Sequence, residues 1–211
     1  MVIPAISPGL DWAKEIICDL GDYTINYLRE KGVEPEVLGK YMVRKSLLTN
    51  KLRKSDADFI VYIGHGIKNS WVGSHYNFLA ENIPLTGALV KDVNDNLLAG
   101  RIVYSCSCDT LEELGPSAVD KGCRAFIGFD RECLVNSEDV DEDNLSDFVD
   151  MLSVPVRVLM NGYPVWMAVE AFKIGCLWYM ALAAKGSDYY NNALRNYEGI
   201  GYVGDGYAKL Y

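Results

Sequence analysis

Two runs, Phe59-Ile-Val-Tyr-Ile63 and the Ile102-Val-Tyr104 centre of residues 101–105, are apolar throughout. Continuous apolar runs bounded by turn residues belong to strands that helices cover on both faces. Around them the period lengthens. Residues 11–31 set Trp12, Ile16, Leu20, Tyr23 and Tyr27 at helical spacing and stop at Gly32, and residues 40–54 gather Met42, Val43, Leu47, Leu48 and Leu52 on one side of a second helix. Residues 1–7 read as a first strand, 110–121 as a helix ended by Gly122, and 124–129 as a short strand. Helices are expected around 148–160, 165–184 and 188–196, and a last strand near 200–203. Gly73, Pro84, Gly87 and several asparagines make 67–99 read as loop, with one short helix near 85–90. The alternation predicts an α/β fold with a mostly parallel central sheet in a single domain, 1–211.

Composition narrows the partners. The chain has 211 residues, half of them apolar, which is enough to bury a full core. Its formal net charge of −9 disfavours nucleic acid and anionic membranes, both of which reward clustered cations, and favours basic peptides or basic protein surfaces. Six cysteines without small-scaffold spacing point to a reducing compartment. The opening residues lack the basic segment and long apolar core of a secretory signal. The stretch 165–184 is interrupted by Glu170 and Lys173, so it reads as a buried helix and not a membrane span. A cytoplasmic protein is expected.

The two strands end in reactive side chains. The first runs into His65-Gly66, the second into Cys106-Ser-Cys108. A thiol attacks as thiolate, and an imidazole beside it supplies the base. In parallel sheets such groups meet beyond the carboxyl ends of the strands. If the second strand continues through Ser107, Cys106 and Cys108 share one side.

This ordered set resembles the caspase-like cysteine peptidases, the group that includes caspases, legumains, gingipains and CHAT domains. Arg101-Ile-Val-Tyr-Ser-Cys-Ser-Cys-Asp-Thr110 is similar without a gap to the CHAT pattern when Cys108 takes the nucleophile's place. Ile63-Gly-His65-Gly66 stands at the group's usual separation before it. Leu114-Gly115, Lys121-Gly-Cys-Arg-Ala-Phe-Ile-Gly128, and Asn196 with Gly204-Asp205 in a closing strand follow in order. The likeness is close over 58–130 and loose elsewhere. It implies a three-layer αβα architecture and a cysteine endopeptidase acting on protein or peptide substrates, with an activating protein partner among the modes of control.

On that resemblance Cys108 is the nucleophile that forms a thioester, and His65 is the general base and acid. Gly66 and the N–H of Cys108 are the oxyanion donors. Asp130, with Asp22 as a weaker candidate, would hold a basic substrate residue, and Cys106 would neighbour the pocket. The plainer readings are a buried structural cysteine, a tight turn at Gly66 and solvated aspartates. His75, the other histidine, reads as a solvated loop residue, and no orienting group is assigned, although Asp109 and Asn69 are near in sequence.

Asp139, Asp141 and Asp143 have the alternating spacing of a calcium loop, but Asn144 replaces the required glycine, so a solvated strip or docking site for a basic partner is preferred and no cofactor is expected. Two other functions stay open. One is a catalytically silent interaction module. The other is a redox protein using Cys106 and Cys108, whose single intervening residue strains a disulfide.

Overall fold

The computed structural model describes residues 1–5, 14–39, 42–74, 87–133 and 142–211, with only the backbone at 142–144. Five strands form the central sheet: β1 (Val2–Ala5), β2 (Phe59–Gly64), β6 (Ile102–Cys106), β7 (Ala125–Phe129) and β8 (Ile200–Gly204), in the order β1-β2-β6-β7-β8. The first four run parallel, and β8 closes the edge antiparallel to β7. Three short strands, β3 (Gly66–Ile67), β4 (Ser70–Val72) and β5 (Gly87–Val90), make a separate antiparallel sheet. Among the described residues the helices are α1 (Lys14–Glu30), α2 (Lys45–Lys54), α3 (Leu114–Asp120), α4 (Glu142–Met160), α5 (Val165–Leu182) and α6 (Asp188–Gly199).

Alternation along each central strand builds the layers. Val61, Ile63, Tyr104, Cys106, Ile127 and Phe129 point into one apolar core with α1, α4 and α5. Ile60, Tyr62, Val103 and Phe126 point into a second core with α2, α3 and the small sheet. Period-two side chains thus feed two buried faces, which is why the strands are apolar throughout. The result is the expected three-layer αβα arrangement around a mostly parallel sheet.

Several expectations change in detail. Helix α2 begins at Lys45, so Met42 lies exposed in a turn, Val43 is buried ahead of the helix, and only Leu48 and Leu52 anchor it. The helix expected near 85–90 is instead β5 over its described part. Gly87 packs on Ser70, and Ala88, Leu89 and Val90 are buried against β4, so these residues satisfy a ladder and not a helical stripe. The helix expected around 148–160 begins earlier, at Glu142, so the end of the acidic stretch is helical. Asn196 lies buried on α6 and not in the closing strand.

Helix α5 is only half buried. Val165, Ala168, Val169, Phe172 and Cys176 face inward, while Ile174, Leu177, Trp178 and Leu182 are exposed. By length and composition it is apolar enough to cross a membrane, yet one side packs on α4 and α6.

Trp71 ties the small sheet to the large one. Its ring stacks on Tyr62 with centroids 4.4 Å apart, and its indole N–H donates to Ser105 Oγ at 2.8 Å. All three side chains are fully buried. Trp71→Phe keeps an aromatic ring but strips Ser105 of its donor, and should cost about 1–3 kcal/mol. Trp71→Ala also opens a cavity and should cost about 3–5 kcal/mol, both read by urea denaturation. Wild-type midpoints in both variants would show that the small sheet docks independently of this residue.

Candidate active site

Strand pairing brings the two reactive segments together. In the β2–β6 ladder Ile63 stands opposite Cys106, so His65 and the Ser107-Cys108 turn leave adjoining strand ends on the same edge of the sheet. His65, Cys106, Cys108 and Cys133 line one cavity of about 40 Å³, walled by apolar residues including Ile16 and Leu20 of α1. That volume holds roughly one water molecule. Anything larger than water would have to lie over the mouth and not inside it.

Gly66 fixes the approach. A Cβ built there would sit 2.5 Å from the Cys108 carbonyl oxygen, 2.8 Å from Thr110 Cγ2 and 2.9 Å from Ser107 Cβ. Only glycine lets the two backbones pack this closely. The carbonyl of His65 accepts from Val72 N–H at 2.9 Å and lies 2.7 Å from the Tyr62 hydroxyl, so the histidine's backbone is held by β4 and by the core.

The cysteine turn has its own support. Ser105, Ser107 and Thr110 form a buried hydroxyl triangle with oxygen separations of 2.7, 3.1 and 3.2 Å. Asp109 adopts a left-handed conformation, φ +57°, unusual for a residue with a side chain, and its N–H donates to the Arg131 carbonyl at 3.0 Å. Leu111 N–H donates to Phe129 O and Leu114 N–H to Lys68 O, so β7 and the β3–β4 hairpin clamp the turn from both sides. Strain held in place by surrounding bonds is common where a reactive side chain must be aimed.

The thiol is not a resting thiolate. Burial pushes the Cys108 pKa up to about 11, and Asp109, Cys106 and Glu132 add to the rise, against a weak opposing contact from its Sγ to the Cys133 carbonyl at 3.9 Å. The same acidic surroundings act on Asp109, whose carboxyl pKa is raised by burial and then by Glu112, Glu132 and Asp130, with Lys68 opposing. Cys106 is buried and its thiol bonds to that of Cys133. None of the six cysteines is in a disulfide.

The other expected residues fall as follows. Asp130 follows β7 and is half exposed, but its carboxylate already pairs with Arg131 at 3.0 Å, and Arg131 also reaches Glu198 at 2.8 Å. Asp22 is exposed on α1 and is not part of the cavity wall. His75, Asp139 and Asp141 lie outside the described residues, and Asp143 stands in the first turn of α4. Among the described residues no group of three or more His, Cys, Asp or Glu is placed to hold a metal ion.

The sequence pattern alone does not single out Trp71, Ser105, Ser107, Thr110 or Cys133. The hydroxyls were visible as the alternation Ser105-x-Ser107 within the cysteine motif, whereas no sequence signal links Cys133 to Cys106.

No family model matches the sequence, and no curated protein does. Solved structures do share its fold. One, described as a protease, superposes with a TM-score of 0.63 at 14% identity, covering 100% of this chain and 48% of that one. Another, the crystal structure of the Arg-specific cysteine proteinase gingipain R, gives a TM-score of 0.54 at 12% identity, covering 98% and 46%. The chain spans about half the length of either structure. At such identities the likeness establishes the fold, a mixed α/β domain of the caspase-like kind.

Two outcomes test this site. Because the Cys108 proton is held to about pH 11, alkylation of the free protein at pH 8 should run about two orders of magnitude slower than that of free cysteine and climb with pH. A plateau below pH 8 by peptide mass spectrometry would mean that the thiol is ionised at rest. Gly66→Ala forces the backbone at Cys108 to move and should cost about 1–3 kcal/mol in thermal or urea unfolding.

Proposed function

We propose that this protein is a cysteine endopeptidase of the caspase-like group that works through a Cys108–His65 dyad. The observation that carries the reading is the convergence of His65 and Cys108 on one cavity, with Gly66 packed against the Cys108 carbonyl. In the proposed reaction His65 takes the Cys108 proton as the sulfur bonds to the scissile carbonyl carbon. The oxyanion is held by the N–H groups of Gly66 and Cys108. The carbonyl re-forms as the peptide C–N bond breaks, His65 passes the proton to the leaving amine, and water then hydrolyses the thioester.

A basic residue before the scissile bond suits the acidic surroundings of Cys108. Asp109, Glu112, Asp130 and Glu132 all bear on this turn. A substrate cation would offset their field, and Asp130 would exchange its Arg131 partner for that cation. The protein's six thiols fit a reducing compartment, and no cofactor enters the reaction.

A second reading, a silent interaction module, is favoured by two observations: the small cavity and the raised Cys108 pKa. Incubation with a library of fluorogenic peptides separates the two. Under the peptidase reading, Arg- and Lys-ended substrates are cut, Cys108→Ala and His65→Ala each reduce kcat/KM by about 1,000-fold or more, and Asp130→Asn raises KM while leaving kcat near wild type. Cleavage that survives Cys108→Ala, or its absence across all substrates, sinks the reading.

A further inference from the structure

Helix α2 carries a cationic surface that the rest of the protein does not match. Lys45, Lys51, Arg53 and Lys54 lie on this ten-residue helix with Arg44 at its N-cap, and no acidic residue stands in its first turn. Elsewhere many cations pair with carboxylates, as Lys68 does with Glu112, Lys91 with Glu113, and Lys121 with Asp92 and Asp95, and the described cations without an ion pair, such as Lys14, Lys185 and Lys209, are scattered along the chain. On α2 only Lys51 is paired, with Glu36 at 2.7 Å. Among the described residues Arg44, Lys45, Arg53 and Lys54 have no ion pair. This concentration stands out in a chain of net charge −9.

The cations border a shallow, open surface along one face of the helix. Arg44, Lys45, Ser46, Thr49, Asn50 and Arg53 line an open depression of about 600 Å³. Thr49 is fixed from below by the Asn94 amide at 3.0 Å, and Leu48 and Leu52 anchor the helix in the core, so the depression sits on a rigid base. Arg44 and Lys45 also occupy the positive end of the helix dipole, where they are electrostatically unfavourable and where no side chain caps the first turn. An anionic partner would relieve both the dipole mismatch and the mutual repulsion of the cations.

We infer that the depression on α2 is a docking site for an acidic polypeptide segment. The helix is about 15 Å long, a span covered by roughly four or five extended residues. Screening confines its field to about 8 Å at physiological salt. A short acidic segment meets only that local field, whereas a nucleic acid duplex extends beyond it into the negative remainder of the surface. Charge complementarity on this scale therefore selects a peptide strip over a long polyanion.

Fluorescence anisotropy with a labelled short Glu-rich peptide tests the assignment, with a labelled DNA duplex and a Lys-rich peptide as comparisons. Binding of the Glu-rich peptide at low salt should weaken by about tenfold or more in Arg44→Glu/Lys45→Glu/Arg53→Glu. The triple variant Lys14→Glu/Lys185→Glu/Lys209→Glu carries the same change in net charge at scattered positions and should bind like wild type. If the first triple variant melts early, Arg44→Gln/Arg53→Gln replaces it, with a smaller loss expected. Equal weakening in both triple variants, tighter binding of the duplex than of the peptide, or no peptide binding at low salt would each overturn the proposal.

Discussion

The parallel register between β2 and β6 is the constraint on which the rest depends. With Ile63 opposite Cys106, both chains leave the sheet at the same level, and the segments 64–66 and 107–110 have no choice but to meet. A shift by one residue would invert every side chain of the strand between the two cores. Val61 and Ile63 would then face the α2 side, and Tyr62 would lose both its stack on Trp71 and its place beside the His65 carbonyl. Burial on both faces therefore protects the geometry of the edge.

What the register brings together, the second core holds still. Ser105 points away from Cys106 into the α2 face, where a lone hydroxyl would be costly, and it is satisfied by Trp71, Ser107 and Thr110. This network connects the small sheet to the cysteine turn through buried atoms only. The backbone bonds from Leu114 to Lys68 and from Val72 to His65 close the same loop from outside. The β3–β4 hairpin is thus a brace between the His-Gly and cysteine segments, a role that a reading of 67–99 as loop did not anticipate.

The sequence made the central strands legible because two-sided burial leaves an unmistakable apolar run, and it made the placement of His65 and Cys108 at adjoining strand ends legible because each lies just beyond such a run. It did not reveal β4 and β5. Ser70–Val72 and Gly87–Val90 are too short to establish a period, and their glycines and flanking polar residues mimic a loop. Helix α5 misled in another way: its composition reads as buried, yet Ile174, Trp178 and Leu182 lie on the outward side, since hydropathy along a chain does not say how many neighbours a helix has. Nor could spacing reveal Cys133, which reaches Cys106 only through the fold. The raised pKa of Cys108 was hidden for the same reason, because burial is a property of the packed structure and not of the motif.

That raised pKa bears on how such a site would work. A thiol beside Asp109 and Glu132 and behind an apolar wall gains nothing by ionising in the free protein. Burial holds the proton on sulfur first, with Asp109 and Glu132 adding to it, and burial followed by the neighbouring carboxylates raises the Asp109 carboxyl as well. A bound cation would lower both penalties at once: it neutralises the field that opposes the thiolate, and it displaces water from the mouth, which strengthens whatever interaction His65 makes with the sulfur. Substrate charge would then serve as part of the activation, and the free site would stay chemically quiet. Under the proposed peptidase reading, an acidic rim that is an odd environment for a nucleophilic thiol taken alone would become intelligible with the missing positive charge supplied by the substrate.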